Sequence, residues 1–424
     1  MLHSNSESLE DVYVLMRDIF SQEKDNGILF NYHTSDANKN RITVLITDEM
    51  LSKTNSDKID HPVGIWTFKP DGEPNSQTME NSIRYKLVLN RKNSSANIFL
   101  LDGGKDREVN LHLVPFQTDF LSRVRGVFDT SLLDGKTVAF IGVGSMGSFI
   151  SLELVKSGVN SFILVDPDIF EVHNICRHTC GLSDVGRPKV DAVKDLILDK
   201  NPCASVVAIK DAFTISNQVL CDALESASLI VVTTDVDVAK REVNMFCVQN
   251  KIPAIYAGVF ERAFGGEVVR YVPDVTTCYS CVLGFKRQLE EKVPSGTLLV
   301  DYSVIDDPNK VVAEPGLSID LGFVNLITAK VCLETLKGRW LLKGDDEDEP
   351  PEIIFWGNKR DWIFNGPFDY VPAKTTLGPY SCDICDPLYY ENRLQMTQEE
   401  IREEIEKSPT LSKALRKVRG EENE

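Results

Sequence analysis

Hydrophobic positions along the chain fall into two regimes. In the first, Leu9, Val12, Leu15, Met16, Ile19 and Phe20 recur at helical spacing over residues 7–20. Short apolar runs follow at 42–46, 63–68, 85–89, 98–101 and 109–114, separated by Asn and Gly clusters. One helix followed by a strand meander predicts a small α+β domain over residues 1–120. The second regime opens with an apolar run at 138–141, too short for a helix and ending on Gly142. A helical pattern then runs through Ile150, Leu152 and Leu154 to Gly158, and a second apolar run at 162–165 ends on Asp166. Strand, glycine turn, helix and strand in that order predict a doubly wound α/β sheet of the Rossmann kind.

The glycine turn carries chemistry. Gly142 permits a tight turn, Gly144 lets backbone amides approach a phosphate, and Gly147 lets the helix sit close to its strand. Asp166 ends the second strand, where a carboxylate accepts hydrogen bonds from ribose hydroxyls, and Asp168 follows it. A turn of this kind marks a nucleotide site without naming the nucleotide. The residues beyond it narrow the choice. Asn174, Arg177 and Lys189 supply an amide and two cations where a hydride-transfer enzyme needs an apolar nicotinamide pocket. Cations clustered after a nucleotide motif suit a triphosphate and act as phosphate clamps.

Taken together, the segments GVGSMGS and LVDPD, Asn174 with Arg177, GRPK at Lys189, TTD at Asp235 and two CxxC pairs resemble the ThiF/MoeB/HesA family of ubiquitin-activating-like adenylyltransferases. The chain is most similar to the bacterial branch, whose members carry a variable N-terminal domain before an SRxxG stretch, here Ser122, Arg123 and Gly126. The resemblance implies an adenylation domain over 121–390, a loop over about 284–316 that crosses the active site, and a charged tail over 391–424. It also implies that Arg123 reaches the triphosphate of a partner subunit in a homodimer, with Arg125 as the substitute. Asp235 follows an apolar run at 228–232 after Thr233 and Thr234, on the crevice side of a parallel sheet, and matches the family's Mg²⁺-holding acid. Val236 stands where the family has Asn, which leaves Asp237 as a rival, while Asn244 fits the pattern again.

Cysteine spacing predicts a metal. Cys278 and Cys281 form one CxxC pair, Cys382 and Cys385 a second, and two such pairs complete a tetrahedral four-thiolate zinc site with no open position. Such a zinc is structural, stapling the end of the chain to the nucleotide domain; a redox pair is the competing reading. Cys332, in an apolar helix at 317–336, reads as core. Several relatives carry a thioester-forming cysteine in the crossover loop, but no cysteine occurs from 282 to 331 here. Two readings follow. Either the enzyme only adenylates, or the acyl group passes to Cys180 or Cys176, where the neighbouring Arg177 would lower a thiol's pKa.

Composition excludes some partners. A formal net charge of −18 argues against a nucleic-acid backbone, and no apolar run reaches membrane-spanning length. A cytoplasmic location is the simplest expectation. The N-terminal domain holds no cysteine, the first being Cys176, so it cannot carry a thioester, and recognition, dimerisation or a structural extension remain open for it. The expected function is ATP- and Mg²⁺-dependent adenylation of the C-terminal carboxylate of a ubiquitin-like or sulfur-carrier protein, with a conjugating enzyme or sulfurtransferase downstream. The alternatives are a peptide-tailoring adenylase and a non-catalytic scaffold subunit.

Overall fold

A computed structural model describes residues 11–16, 26–32, 42–47, 59–67, 84–90, 94–102, 105–115, 120–292, 316–338, 350–375, 382, 384 and 385. Seven strands come first: β1 (Asp11–Met16), β2 (Asn26–Tyr32), β3 (Ile42–Thr47), β4 (Ile59–Thr67), β5 (Tyr85–Asn90), β6 (Ser95–Asp102) and β7 (Lys105–Pro115). They close into a barrel in the order β1-β3-β2-β4-β5-β6-β7, with β1 pairing in parallel to both β3 and β7. Closure leaves no unpaired sheet edge. Val12, Val14, Leu29, Leu45, Trp66, Leu87 and Ile98 fill its interior.

The barrel corrects the expected α+β domain. Where a helix was expected over 7–20, residues Asp11–Met16 form a strand. Val12 and Val14 are fully buried on either side of a half-buried Tyr13, a period of two that the helical spacing of Leu9 and Ile19 had masked. β-branched valines favour this backbone. Residues 7–10 and 17–20 lie outside the described residues. The five expected strands all form, but β2 was missed, and the parallel β4–β5 and β1–β3 pairs make the order a closed barrel instead of a meander.

The second sheet has eight strands: β8 (Thr137–Ile141), β9 (Ser161–Val165), β10 (Ser205–Ile209), β11 (Leu229–Val232), β12 (Ala254–Val259), β13 (Gly265–Tyr271), β14 (Ile353–Gly357) and β15 (Asp369–Ala373). Their order is β10-β9-β8-β11-β12-β13-β14-β15, parallel from β10 to β12 and antiparallel beyond. Alternate residues of each central strand enter two separate cores. Val138, Phe140, Phe162, Leu164, Leu229 and Val231 join one; Ala139, Ile141, Ile163, Val165, Ile230 and Val232 join the other. Burial on both faces is why these strands read as unbroken apolar runs.

Helices α1 (Ser145–Lys156), α2 (Lys189–Lys200) and, from later in the chain, a long helix at Ser318–Leu336 cover the first face. On the second face lie α3 (Gln218–Leu224), α4 (Asp237–Gln249) and α5 (Tyr279–Lys292), so the Ser318–Leu336 helix is α6. Cys332 on α6 is fully buried, as expected. Residues 362–364 form a tight turn closed by an Asp361–Phe364 bridge, and the last strand comes later as β15. Trp362 adopts φ 43°, which breaks an extended run. The loop expected over about 284–316 starts later than expected, because residues 284–292 continue helix α5; residues 293–315 and the tail over 391–424 lie outside the described residues.

Candidate functional site

The chain reverses direction across the sheet between β8 and β11, so their carboxyl ends flank a crevice. The glycine turn leaves β8 at that point. Gly142 has φ +93°, and a Cβ on it would lie 2.8 Å from the Thr234 backbone nitrogen. Gly147 is equally constrained, since a Cβ there would press on the Gly142 carbonyl and lie 2.8 Å from Thr233 Oγ1. Gly144 differs: a Cβ there would meet nothing within 4 Å. It is the N-cap of α1 and offers no side-chain cap, so the first amides of a twelve-residue helix open onto that space. Uncapped helix amides and the helix dipole suit an anion.

The acid expected to hold ribose has a prior task. Asp166 is buried, and its two oxygens accept backbone N–H bonds from Val143 at 2.8 Å and Asp168 at 2.9 Å. Burial raises its pKa above the usual carboxylate value, against the lowering effect of those two bonds. Asp166 thus pins the glycine turn to the end of β9. Asp168 has an exposed carboxylate that pairs with Lys189 Nζ at 2.7 Å, and Lys189, first residue of α2, is itself buried.

The segment after β9 folds back over the turn. Asn174 spends its side-chain oxygen on Glu171 N–H at 2.9 Å, capping a short 3₁₀ turn. Arg177 is half-buried, and its carbonyl accepts the Ser145 hydroxyl at 2.7 Å. The two candidate thioester cysteines separate sharply. Cys176 is exposed, whereas Cys180 is buried and its thiol is pushed up to about 12 by desolvation and then by the Asp184 carboxylate. The expected activation of Cys180 by a nearby cation is therefore corrected: burial outweighs it.

On the other side of the crevice, β11 runs into Thr233, Thr234 and Asp235. Thr233 Oγ1 donates to the Gly142 carbonyl at 2.7 Å, which brings this corner against the glycine turn. Asp235 is exposed just beyond that contact, and Asp237 is taken up as the first residue of α4. Asn244 is not at the crevice. It is fully buried, accepts Tyr279 N–H at 2.9 Å and donates to Ser280 Oγ at 3.1 Å, bracing the start of α5. Arg123 and Arg125 are exposed in the turns over 121–127 that precede β8.

The four cysteines converge. All four sulfurs of Cys278, Cys281, Cys382 and Cys385 lie within 4.8 Å of one another. Neighbouring pairs stand 3.6, 3.6 and 3.9 Å apart. A tetrahedron with metal–sulfur bonds of about 2.3 Å has edges of about 3.8 Å, so the cluster fits a metal of that kind. Glu352, which the sequence hides in an acidic run, is the missed residue here. It is buried and accepts hydrogen bonds from Thr277, next to Cys278, and from Thr375, on the approach to Cys382. A lone acid among acids gives no signal in sequence; only its two threonine partners reveal the clasp.

Among the described residues no helix is long and apolar enough to cross a membrane. Ubiquitin-like modifier-activating enzyme 5 of Caenorhabditis briggsae is 30% identical over 171 residues, covering 38% of this chain and 40% of that protein. Sulfur carrier protein ThiS adenylyltransferase of Escherichia coli (strain K12) is 28% identical over 173 residues, 39% of this chain and 67% of that one. The chain spans about 40% of the length of the first of these relatives. A crystal structure of E. coli MccB with MccA-N7isoASN superposes with a TM-score of 0.49 at 20% identity, over 63% of this chain and 74% of that one. The sequence model of the ThiF family matches residues 121–338, over half of the chain and spanning the glycine turn, both cation positions, Asp235 and the first cysteine pair, and this chain belongs to the ThiF family.

Proposed function

We propose that this chain is an ATP-dependent adenylyltransferase that activates the C-terminal carboxylate of a ubiquitin-like or sulfur-carrier protein. The observation that carries the reading is the meeting of an open, amide-lined glycine turn with Lys189 on one side and the Thr233–Asp235 corner on the other. The names of the two curated relatives support the substrate class. In the proposed reaction a carboxylate oxygen attacks the α-phosphorus of ATP, pyrophosphate leaves, and an acyl-adenylate forms.

The residues divide the labour. Gly142 and Gly147 hold the turn closed, Gly144 leaves room for phosphate, and Arg177 and Lys189 clamp the triphosphate with Asn174 keeping their segment folded. Asp168 has the exposed carboxylate suited to ribose, and Asp166 shapes the turn. Asp235 holds Mg²⁺, for which one carboxylate plus phosphate oxygens suffices. Arg123 completes the site of a partner subunit in a homodimer. A subsequent thioester falls to Cys176, because Cys180 is buried and its thiol stays protonated. Zinc on the four cysteines is structural, and a conjugating enzyme or sulfurtransferase receives the product.

ATP–pyrophosphate exchange, followed by intact mass of the carrier, tests the reading. Exchange that depends on a ubiquitin-like or sulfur-carrier protein, with a gain of AMP mass, is the expected result. Exchange driven only by a short peptide would replace the substrate class, and no exchange with any carboxylate would leave a scaffold.

A further inference from the structure

His178 follows Arg177 and packs its ring 4.9 Å from that of Phe170. Both ring nitrogens are engaged. Nδ1 accepts the Cys180 backbone N–H at 3.1 Å, and Nε2 lies 2.9 Å from the Val143 carbonyl oxygen. A backbone N–H only donates and a carbonyl only accepts, so the ring is the neutral tautomer with its proton on Nε2. Burial lowers the pKa of His178, in keeping with a neutral ring.

The bond to Val143 falls inside the glycine turn, where two successive peptide planes are held by side chains. In the Gly142–Val143 plane, Asp166 takes the N–H at 2.8 Å and Thr233 Oγ1 donates to the carbonyl at 2.7 Å. In the Val143–Gly144 plane, His178 holds the carbonyl. All peptide bonds of the described residues are trans, so the carbonyl and the N–H of one plane point in opposite directions. Fixing the Val143 carbonyl therefore fixes the direction of the Gly144 N–H at the mouth of α1. The Ser145–Arg177 bond adds a second tie between the same two segments.

We propose that His178 is a positioning residue: it locks the Val143–Gly144 peptide so that the Gly144 N–H faces the nucleotide phosphates, and it holds the Arg177 segment against the turn. The proposal rests on the nucleotide reading given above. His178 does not touch the nucleotide; it acts through the backbone of the turn.

Glutamine separates geometry from chemistry, since its amide can donate to Val143 and accept from Cys180 as the neutral ring does, whereas alanine does neither. Calorimetric titration of the full-length protein with ATP and Mg²⁺ compares wild type, His178→Gln and His178→Ala, with thermal melting as the folding control. Losing one such bond corresponds to a weakening of ATP binding by roughly tenfold in His178→Ala, with His178→Gln restoring most of it. Long-range ¹⁵N–¹H correlation of histidine-labelled wild type gives an independent readout, expected to show the Nε2–H tautomer for His178 at neutral pH. Equal affinity in all three proteins, or an Nδ1–H tautomer, overturns the proposal even if ATP binds. Wild type that binds no ATP overturns the nucleotide reading and this proposal together, while the tautomer still reports on the turn. If His178→Ala fails to fold, His178→Gln decides: affinity near wild type supports the proposal, and a tenfold loss with an intact melt overturns it.

Discussion

Two alanine substitutions in the glycine turn separate folding from binding. Gly147→Ala gains helix propensity of about 1 kcal/mol, because residue 147 lies in the first turn of α1. Against this, the added methyl meets the Gly142 carbonyl and stands 2.8 Å from Thr233 Oγ1, with backbone on one side that cannot swing away. Overpacking of this kind costs about 1–3 kcal/mol. Displacing the Thr233–Gly142 hydrogen bond adds about 1 kcal/mol, so the net change is a destabilisation of about 1–3 kcal/mol. Gly144→Ala meets no atom within 4 Å and has a negative φ of −67°. Its stability cost comes from alanine being a poorer N-cap, about 1 kcal/mol or less. Its methyl nevertheless occupies the space proposed for phosphate, and ATP affinity is expected to fall at least tenfold, about 1.4 kcal/mol. Urea unfolding measures the first quantity and calorimetric ATP titration the second. A folded Gly144→Ala protein that binds ATP like wild type would refute the phosphate cradle.

Other consequences are as direct. Asp235 is exposed on a loop, so Asp235→Ala should leave the melting temperature unchanged and abolish pyrophosphate exchange; retained exchange removes Asp235 from the site. Chelation or acid should release one zinc per four thiols, and Cys278→Ser should abolish that stoichiometry; a metal-free preparation with reduced thiols and an unchanged melt would contradict the structural zinc. Iodoacetamide at pH 8 should label Cys176 and spare Cys180, read by peptide mass spectrometry, and equal labelling would contradict the burial argument. Because the folded pKa of Cys180 lies near 12 and the ordinary value is 9.0, its thiol contributes stability that is present below pH 9 and is lost as pH rises towards 12. A Cys180→Ala protein should accordingly show a smaller loss of stability than wild type over that interval.

Much of the nucleotide domain was legible because its signals are local. The runs at 138–141 and 162–165, the glycines between them and the acid at 166 each act within a few residues of chain, and the backbone constraints at Gly142 and Gly147 are visible as residue identity. The CxxC pairs announced four thiolates for the same reason: two sulfurs three residues apart can reach one ion even where, as with Cys278 and Cys281, the pair sits at the start of a helix. Family membership also follows from the order of such motifs.

Tertiary structure decided what depends on partners distant in sequence. The first strand read as a helix because Leu9 and Ile19 suggested helical spacing, and only pairing with β3 and β7 selected the period of two in Val12 and Val14. Asp166 looked free for ribose until the Val143 and Asp168 amides took its oxygens. Cys180 seemed activated by its neighbour Arg177, but solvation is set by the whole fold, and burial moves its thiol the other way. Asn244 and Glu352 show the same limit: one matched a motif yet braces the start of α5, the other sat in an acidic run yet clasps both arms of the cysteine cluster. Sequence spacing reports which groups share one turn or one face, whereas hydrogen-bond partners and burial are settled only when remote segments meet.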